Sequence, residues 1–356
     1  MTPVHTVYVG AHLFHGQLAQ HWGQLALQVL KMYAPDARAL TSVVDHTCDD
    51  DTYARLTDKL GREPVEDLRI DFEDGFGDRP DDEEDAAASS AAAELAGDIA
   101  RGAGPPASGI RIKPLTGGRG ARGARTLEVF VTALLERGGR LPPGFTVTLP
   151  KVAAIGDVTA LVRLLETLET RLSLPAGSLT LELMVETPEA IVAPDGRCPL
   201  PAFVAAAGGR CRGVQLGVYD YSAALGLAPS HHGLRHPACD HARRVMQIAL
   251  AGTGVELSAG STNVLPVPPR DNLVDALRLH YDDVRFSLVS GFYHGWDLHP
   301  AQLVTRYAAV FTFYRECLQS ASPGGQMLED PAAARVRAAL RQRALDCGAL
   351  ALGDAT

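Results

Sequence analysis

The sequence predicts an α/β protein, a (β/α)8 barrel of the TIM-barrel type with additional N- and C-terminal helical segments. Short apolar, β-prone runs alternate with longer stretches whose apolar residues recur at helical spacing. Polar residues stand where the predicted strands end: Glu73, Arg111, Lys151, Glu186 and Asp220, spaced by about the 35 to 40 residues of a βα unit. An open sheet would gather its ligand groups at one crevice; five successive strands that each end in a polar residue fit a barrel, whose site lies along the C-terminal edge of its strands. Residues 1–320 are assigned to the barrel, with 1–65 as an extended N-terminal part, and 321–356 to a C-terminal helical extension.

Taken in order, Thr6-Val-Tyr-Val9 reads as the first strand, and Gln17 to Tyr33 carries Leu18, Trp22, Leu25, Val29 and Leu30 at helical spacing. Asp49-Asp-Asp51 is a solvated helix start, and the scattered His12, His15 and His21 read as surface or core residues. Leu68 to Gly75 alternates as a strand, with Asp71 and Glu73 on one face and Asp74 at its end. The acidic run from Asp78 to Asp85 suits the N-terminus of an Ala-rich helix reaching about Arg101. Gly109 to Pro114 is a strand that sets Arg111 and Lys113 on one face; two cations there imply a polar cavity or a bound anion. The following Gly118-Arg-Gly-Ala-Arg-Gly123 matches G-x-G-x-x-G, and a basic loop at a ligand rim is the stronger reading than a dinucleotide site.

The repeat then becomes regular. A helix over Thr126–Arg137 stops at Gly138, Phe145–Leu149 is a strand ending in Pro150-Lys151, and Asp157 caps a helix to Leu172. Leu179–Val185 is a strand that delivers Glu186, with Thr187 and Pro188 as a helix start. Gly213–Leu216 is the next strand, and Asp220 opens a short helix over Tyr221–Leu225. A helix over Pro237–Ala251, a strand at Val255–Leu257, a helix over Leu273–His280 and a strand at Val284–Leu288 follow. His299-Pro300 precedes a helix to Cys317, and a last helix runs from Pro331 to about Leu345.

Glu186 and Asp220 stand at equivalent ends of neighbouring parallel strands, so they should converge. Two hard oxygen ligands with open positions suit Mg²⁺ or Mn²⁺. Lys151 at a strand end could form a Schiff base in a metal-free aldolase or act electrostatically beside those acids. His299 reads as a helix-start and rim residue or as a catalytic group, and His231, His232, His236 and His241 as a rim beside Arg235, Arg243 and Arg244.

A net charge of −9 argues against a nucleic-acid or anionic membrane surface, since both need a concentrated basic field. Six cysteines without Cys-x-x-Cys spacing indicate neither a zinc site nor a disulfide framework. No leader or long apolar run is evident, which makes the cytoplasm the expected location.

Six motifs stand in an order that resembles the HpcH/HpaI aldolase and citrate lyase β-subunit family. They are Asp71-Phe-Glu-Asp74, Ile110-Arg-Ile-Lys-Pro-Leu115, Leu149-Pro-Lys151, Val185-Glu-Thr187, Gly217-Val-Tyr-Asp-Tyr221 with Leu225-Gly226, and Leu298-His-Pro-Ala-Gln302. They are similar to that family's L-E-D-A, R-V-N-P-L, L-P-K, E-T, G-x-x-D-L and I-H-P-x-Q. The resemblance implies a metal-dependent barrel enzyme that makes or breaks a C–C bond beside a carbonyl, often as a homo-oligomer, trimer or hexamer. It implies that Glu186 and Asp220 bind Mg²⁺, that Arg111 holds a carboxylate or enolate oxygen, and that Glu73 and Asp74 lie at the metal's outer shell. Lys113 stands where Asn is usual, and Tyr221 where Leu is usual. Gly325 to Pro331 is similar to a segment that, in the acyl-CoA lyase branch, lies near an acid donated by a neighbouring subunit, here Glu329 or Asp330.

The expected function is therefore metal-dependent C–C cleavage or formation on a 2-oxo acid or small acyl-CoA. Cleavage beside a carbonyl leaves an enolate-like transition state, which a divalent ion and Arg111 would stabilise. The proton would fall to a metal-bound water, Glu73, Asp74, His299, or the Glu329/Asp330 pair of another chain. Phosphotransfer on an enolpyruvate-like substrate, motivated by the Gly118–Gly123 loop, and a non-catalytic metabolite-binding barrel are the alternatives.

Overall fold

The structure is a computed structural model that describes residues 2–319, 331–351 and 353–354. Its strands are β1 (His5–Gly10), β2 (Asp67–Asp71), β3 (Ala107–Arg111), β4 (Thr146–Leu149), β5 (Thr180–Val185), β6 (Cys211–Leu216), β7 (Glu256–Ser261) and β8 (His294–Asp297). They are ordered β1 to β8 in a closed barrel, and the pairings from β1 through β7 are parallel. The helices are α1 (Leu18–Tyr33), α2 (Ala37–Val44), α3 (Asp50–Arg62), α4 (Asp81–Ala100), α5 (Gly120–Gly138) and α6 (Ile155–Arg171). They continue with α7 (Leu200–Ala206), α8 (Val218–Ala224), α9 (Pro237–Leu250), α10 (Arg270–Val289), α11 (Gln302–Gln319) and α12 (Pro331–Cys347). The fold is thus the expected (β/α)8 barrel with extra helices.

The chain forms two compact units. One comprises Thr6–Leu18 and Asp67–Ser261. Its strands alternate strictly. Val7, Val9, Leu68, Ile70, Ile110, Val147, Leu181, Leu183, Val214 and Leu216 are buried on one face. The opposite face carries Thr6, Tyr8, Asp67, Arg69, Thr148, Glu182 and Gln215, also buried. Burying charge is tolerated only where it is paired, and here it is. Arg69 donates to Glu182 through Nε at 2.8 Å and Nη2 at 3.1 Å and to Asp67 through Nη1 at 2.5 Å. Tyr8 Oη donates to Gln215 at 3.3 Å, and Thr148 to Glu182.

Gly120 and Gly123 lie in the first turn of α5, not in an open loop. A Cβ on Gly120 would stand 2.1 Å from Leu115 O, and one on Gly123 2.4 Å from Lys113 O. Close packing of α5 against the exit of β3 thus accounts for these glycines.

The other unit comprises Met1–His5, Ala19–Glu66 and Thr262–Thr356. Asp49 caps α3, accepting from Thr52 N at 2.7 Å, so the acidic run is a helix start as expected. One expected strand is absent: Val284–Leu288 lies inside α10, a single helix from Arg270 to Val289. Leu273, Leu277, Tyr281, Val284 and Leu288 are buried three or four residues apart, so helical packing overrides the β preference of the short run. The strand β8 is His-Gly-Trp-Asp, which has no aliphatic residue to announce it. Its Asp297 is fully buried and accepts from His5 Nδ1 at 2.6 Å, His280 Nε2 at 3.0 Å and Arg306 Nη2 at 2.9 Å.

Candidate active site

In the first unit the strands end, in turn, just before or at the residues that carry chemistry. β3 ends on Arg111, and β2, β4, β5 and β6 end shortly before Glu73, Lys151, Glu186 and Asp220. The structure brings all five together, with Asp74. Lys151 Nζ is 2.7 Å from Glu73 Oε1, 2.7 Å from Asp220 Oδ2, 3.6 Å from Asp74 Oδ2 and 3.8 Å from Glu186 Oε1. Arg111 Nη1 lies 3.3 Å from Glu73 Oε2 and 3.7 Å from Asp74 Oδ2.

Lys151 holds this position with a left-handed backbone, φ +52°, which a side chain other than Gly adopts at a cost of about 1–3 kcal/mol. That turn points its backbone N–H at Glu186 Oε1, 2.7 Å away, while its ammonium folds back over the acids. Glu186 is buried, and Gly217 makes room for it: a Cβ there would meet Glu186 Oε2 at 2.5 Å.

Arg111 is aimed by a residue to which the sequence alone assigned no role. The buried Asp71 accepts from Arg111 Nε at 2.7 Å and from its Nη2, and also from Glu73 N at 2.9 Å and Gly75 N at 2.7 Å. One carboxylate therefore fixes both the guanidinium and the turn bearing Glu73 and Asp74. The Tyr8 ring lies 5.3 Å below the guanidinium. The alternation Asp67, Arg69, Asp71 along β2 was the available signal for a charged inner face.

Five carboxyl groups, Asp71, Glu73, Asp74, Glu186 and Asp220, thus face two cations, Arg111 and Lys151. The imbalance shows in the proton affinities. Burial pushes the Glu186 carboxyl up to about 8, only partly offset by Lys151 and Arg111. Desolvation and the neighbouring Glu73 carboxyl push Asp74 up to about 7. Burial would raise Asp220 too, but the hydrogen bond and charge of Lys151 hold it below its ordinary value. The Lys151 ammonium is itself stabilised, because Glu186, Asp220 and Glu73 outweigh its burial.

An excess of convergent carboxylates, Glu73 and Glu186 buried and Asp74 and Asp220 open to solvent, is the donor set that a divalent cation satisfies. Among the described residues no three His, Cys, Asp or Glu side chains form a ready-made ligand cluster. An ion that one or two carboxylates hold and that keeps open positions, as Mg²⁺ does, fits such a donor set, and Glu186 and Asp220 are the residues that could hold it.

Other residues singled out in the sequence have local partners of their own. Lys113 lies beyond the end of β3, and its buried Nζ donates to Glu84 at 2.6 Å and Phe72 O at 2.9 Å. Thr187 donates to Val152 O at 2.8 Å and opens a 3-10 turn instead of an α-helix. His236 caps α9, accepting from Ala238 N at 3.2 Å, and His232 Nε2 is 2.9 Å from Leu227 O. In the second unit His299 Nδ1 accepts from Ala301 N at 3.2 Å, and burial lowers its imidazole. Glu329 and Asp330 lie outside the described residues. The six cysteines are free, and no helix among the described residues is long and apolar enough to cross a membrane.

Known structures share the fold. A citrate lyase crystal structure from Burkholderia xenovorans LB400 is similar with a TM-score of 0.63 at 20% identity, covering 99% of this chain and 95% of that one. The malate synthase of Haloferax volcanii in its magnesium/glyoxylate complex is similar with a TM-score of 0.57 at 15% identity, over 92% and 78% of the two chains. Its pyruvate/acetyl-CoA ternary complex gives 0.56 at 14% identity, over 95% and 75%. No curated protein matches. Identities this low speak for the fold alone. The model of a family described as a domain of unknown function, DUF6986, matches residues 1–356, so the chain belongs to that family.

Proposed function

We propose that the protein is a metal-dependent carbon–carbon lyase acting on a 2-oxo acid or a small acyl thioester such as an acyl-CoA. The observation that supports this reading is the convergence of Glu73, Asp74, Glu186 and Asp220 on one point at the barrel mouth, beside the Nη1 of a clamped Arg111. The resemblance to the HpcH/HpaI aldolase and citrate lyase β-subunit family points the same way. So do the citrate lyase neighbour and the malate synthase complexes with magnesium, glyoxylate, pyruvate and acetyl-CoA.

Glu186 and Asp220 would hold Mg²⁺ or Mn²⁺, which when bound supplies a Lewis acid for the charge that develops on a carbonyl oxygen. Arg111 reaches the same oxygen with Nη1, its other nitrogens being held by Asp71. A donor of this kind contributes about 2.7–4 kcal/mol to the transition state, because Asp71 orients it before the reaction begins. Asp74 is exposed and its carboxyl lies near 7, so it can take a proton from the carbon beside the carbonyl or return one near neutral pH. Lys151 keeps its proton among the acids, which favours an electrostatic role over a Schiff base. Gly120 and Gly123 serve helix packing and Arg122 pairs with Asp85, so these residues lend phosphotransfer no support. Assembly as a trimer or hexamer belongs to the same proposal.

The test is exchange of the pyruvate methyl protons in D₂O, followed by NMR with and without Mg²⁺. The wild-type protein should exchange them only with the metal, and Glu186→Ala and Asp220→Ala should each fall by about 10²-fold or more, to background. Unchanged exchange in either variant overturns the assignment.

A further inference from the structure

Lys151 occupies the place where the carboxylates of the proposed metal site converge. Its ammonium lies 2.7 Å from Asp220 Oδ2 and 3.8 Å from Glu186 Oε1, the two carboxylates assigned to the metal. It is bound at the same time to Glu73 Oε1, 2.7 Å away, and lies 3.6 Å from Asp74 Oδ2. We propose that Lys151 is an exchangeable internal cation: its ammonium fills the site when no metal is bound and is displaced toward Glu73 and Asp74 when a divalent ion enters. The proposal rests on the metal-site reading above.

Three features of the chain carry it. The acids outnumber the cations at this mouth, so removing all positive charge from Glu186 and Asp220 would leave two adjacent carboxylates unbalanced in a partly desolvated place. A second ion cannot enter beside the ammonium without like-charge repulsion at contact distance. Glu73 and Asp74 already lie within reach of Nζ, so the ammonium can keep two carboxylate partners while it gives up the other two. The backbone need not follow. The Lys151 N–H remains on Glu186 Oε1, and the left-handed turn that sets it there is independent of where the side chain points.

Metal affinity at this site is therefore set by a competition within the chain. A single ammonium in place keeps the empty barrel mouth from collecting stray cations, and the divalent ion binds only by exchanging one positive charge for two. Neutralising Lys151 removes the competitor and should tighten binding, the opposite of what loss of a supporting residue does.

The experiment is a Mn²⁺ titration of the full chain, followed by electron paramagnetic resonance of the free ion, with the metal-free melting temperature read alongside to confirm folding. Wild-type protein should bind one Mn²⁺, Glu186→Gln should lose it, and Lys151→Arg should resemble wild type. Lys151→Met should bind about tenfold more tightly or better at low salt, and Mn²⁺ should raise its melting temperature more than that of wild type. Lys151→Asn repeats the measurement with a residue that tolerates the left-handed backbone, should the Met variant not fold. Equal or weaker Mn²⁺ binding by the neutral variants, with wild type still binding, overturns the exchange and leaves the metal site standing. No Mn²⁺ binding by wild type or by either neutral variant overturns the metal site and the exchange together.

Discussion

Two buried carboxylates, Glu186 and Asp297, show how surroundings separate a crowded acid from a satisfied one. Both follow or end a barrel strand, and both are almost wholly removed from solvent. Burial alone would raise either. Around Asp297, Arg306, His280 and His5 together reverse that and hold the carboxyl well below its ordinary range. Around Glu186, one backbone N–H and a shared ammonium do not suffice, and its carboxyl rises to about 8. A network that satisfies its acid has no capacity left for a ligand; a network short of positive charge has a place for one.

The sharpest way to break this contrast is to remove one charge from each. Asp297→Asn leaves Arg306 buried with its main partner gone and should cost about 3–5 kcal/mol in urea unfolding. Glu186→Gln removes an acid that is costly to keep ionised, so its stability should be equal to wild type or higher, while metal binding is lost. If the two variants unfold at the same urea concentration, the distinction between them fails.

Much of this site was legible before the fold, because a barrel sends the ends of successive strands to one edge and the chemistry needs charge there. Glu73, Arg111, Lys151, Glu186 and Asp220 were visible as charges breaking apolar runs at a regular spacing. Asp71 was visible but its task was not: that an acid clamps the arginine forty residues later depends on the register of β2 with β3, which pairs Asp71 with Arg111 directly. Lys113 shows the reverse failure. The strand ends at Arg111 rather than Pro114, and the Lys113 side chain turns to Glu84 on α4. The second unit was the least legible. β8 has four residues and no aliphatic among them, and Asp297 draws its partners from His5, His280 and Arg306, far apart in sequence.

A smaller effect should appear with pH, and it should run in opposite directions for the two acids. Glu186 is raised on folding, so its contribution is complete below the unfolded value of about 4.3 and is lost as pH rises through about 8. Asp297 is lowered, so its contribution is complete above the unfolded value of about 3.9 and is lost as pH falls through its folded value. A tenfold change in the proton affinity of one group on folding is worth about 1.4 kcal/mol. In metal-free urea unfolding, the advantage of Glu186→Gln over wild type should therefore shrink by at least about 1.4 kcal/mol between pH 9 and pH 5. The deficit of Asp297→Asn should stay level over the same window and narrow only below about pH 4. Two differences that move together with pH would contradict the contrast between a crowded acid and a satisfied one.

The smallest effect concerns a third kind of carboxylate, one that is neither clamped nor crowded. Asp36 is exposed and caps α2, accepting from Ala39 N at 2.7 Å with an extended backbone, φ −149°. It answers one of the four unpaired N–H groups at the start of that helix and faces the positive end of its dipole. Nothing around it is left charged and buried when it is removed, since water reaches the freed N–H. Asp36→Ala should therefore cost about 1 kcal/mol, the ordinary worth of a cap, and leave metal binding unchanged. A loss as large as that of Asp297→Asn would mean that burial and partner number do not rank the acids of this chain.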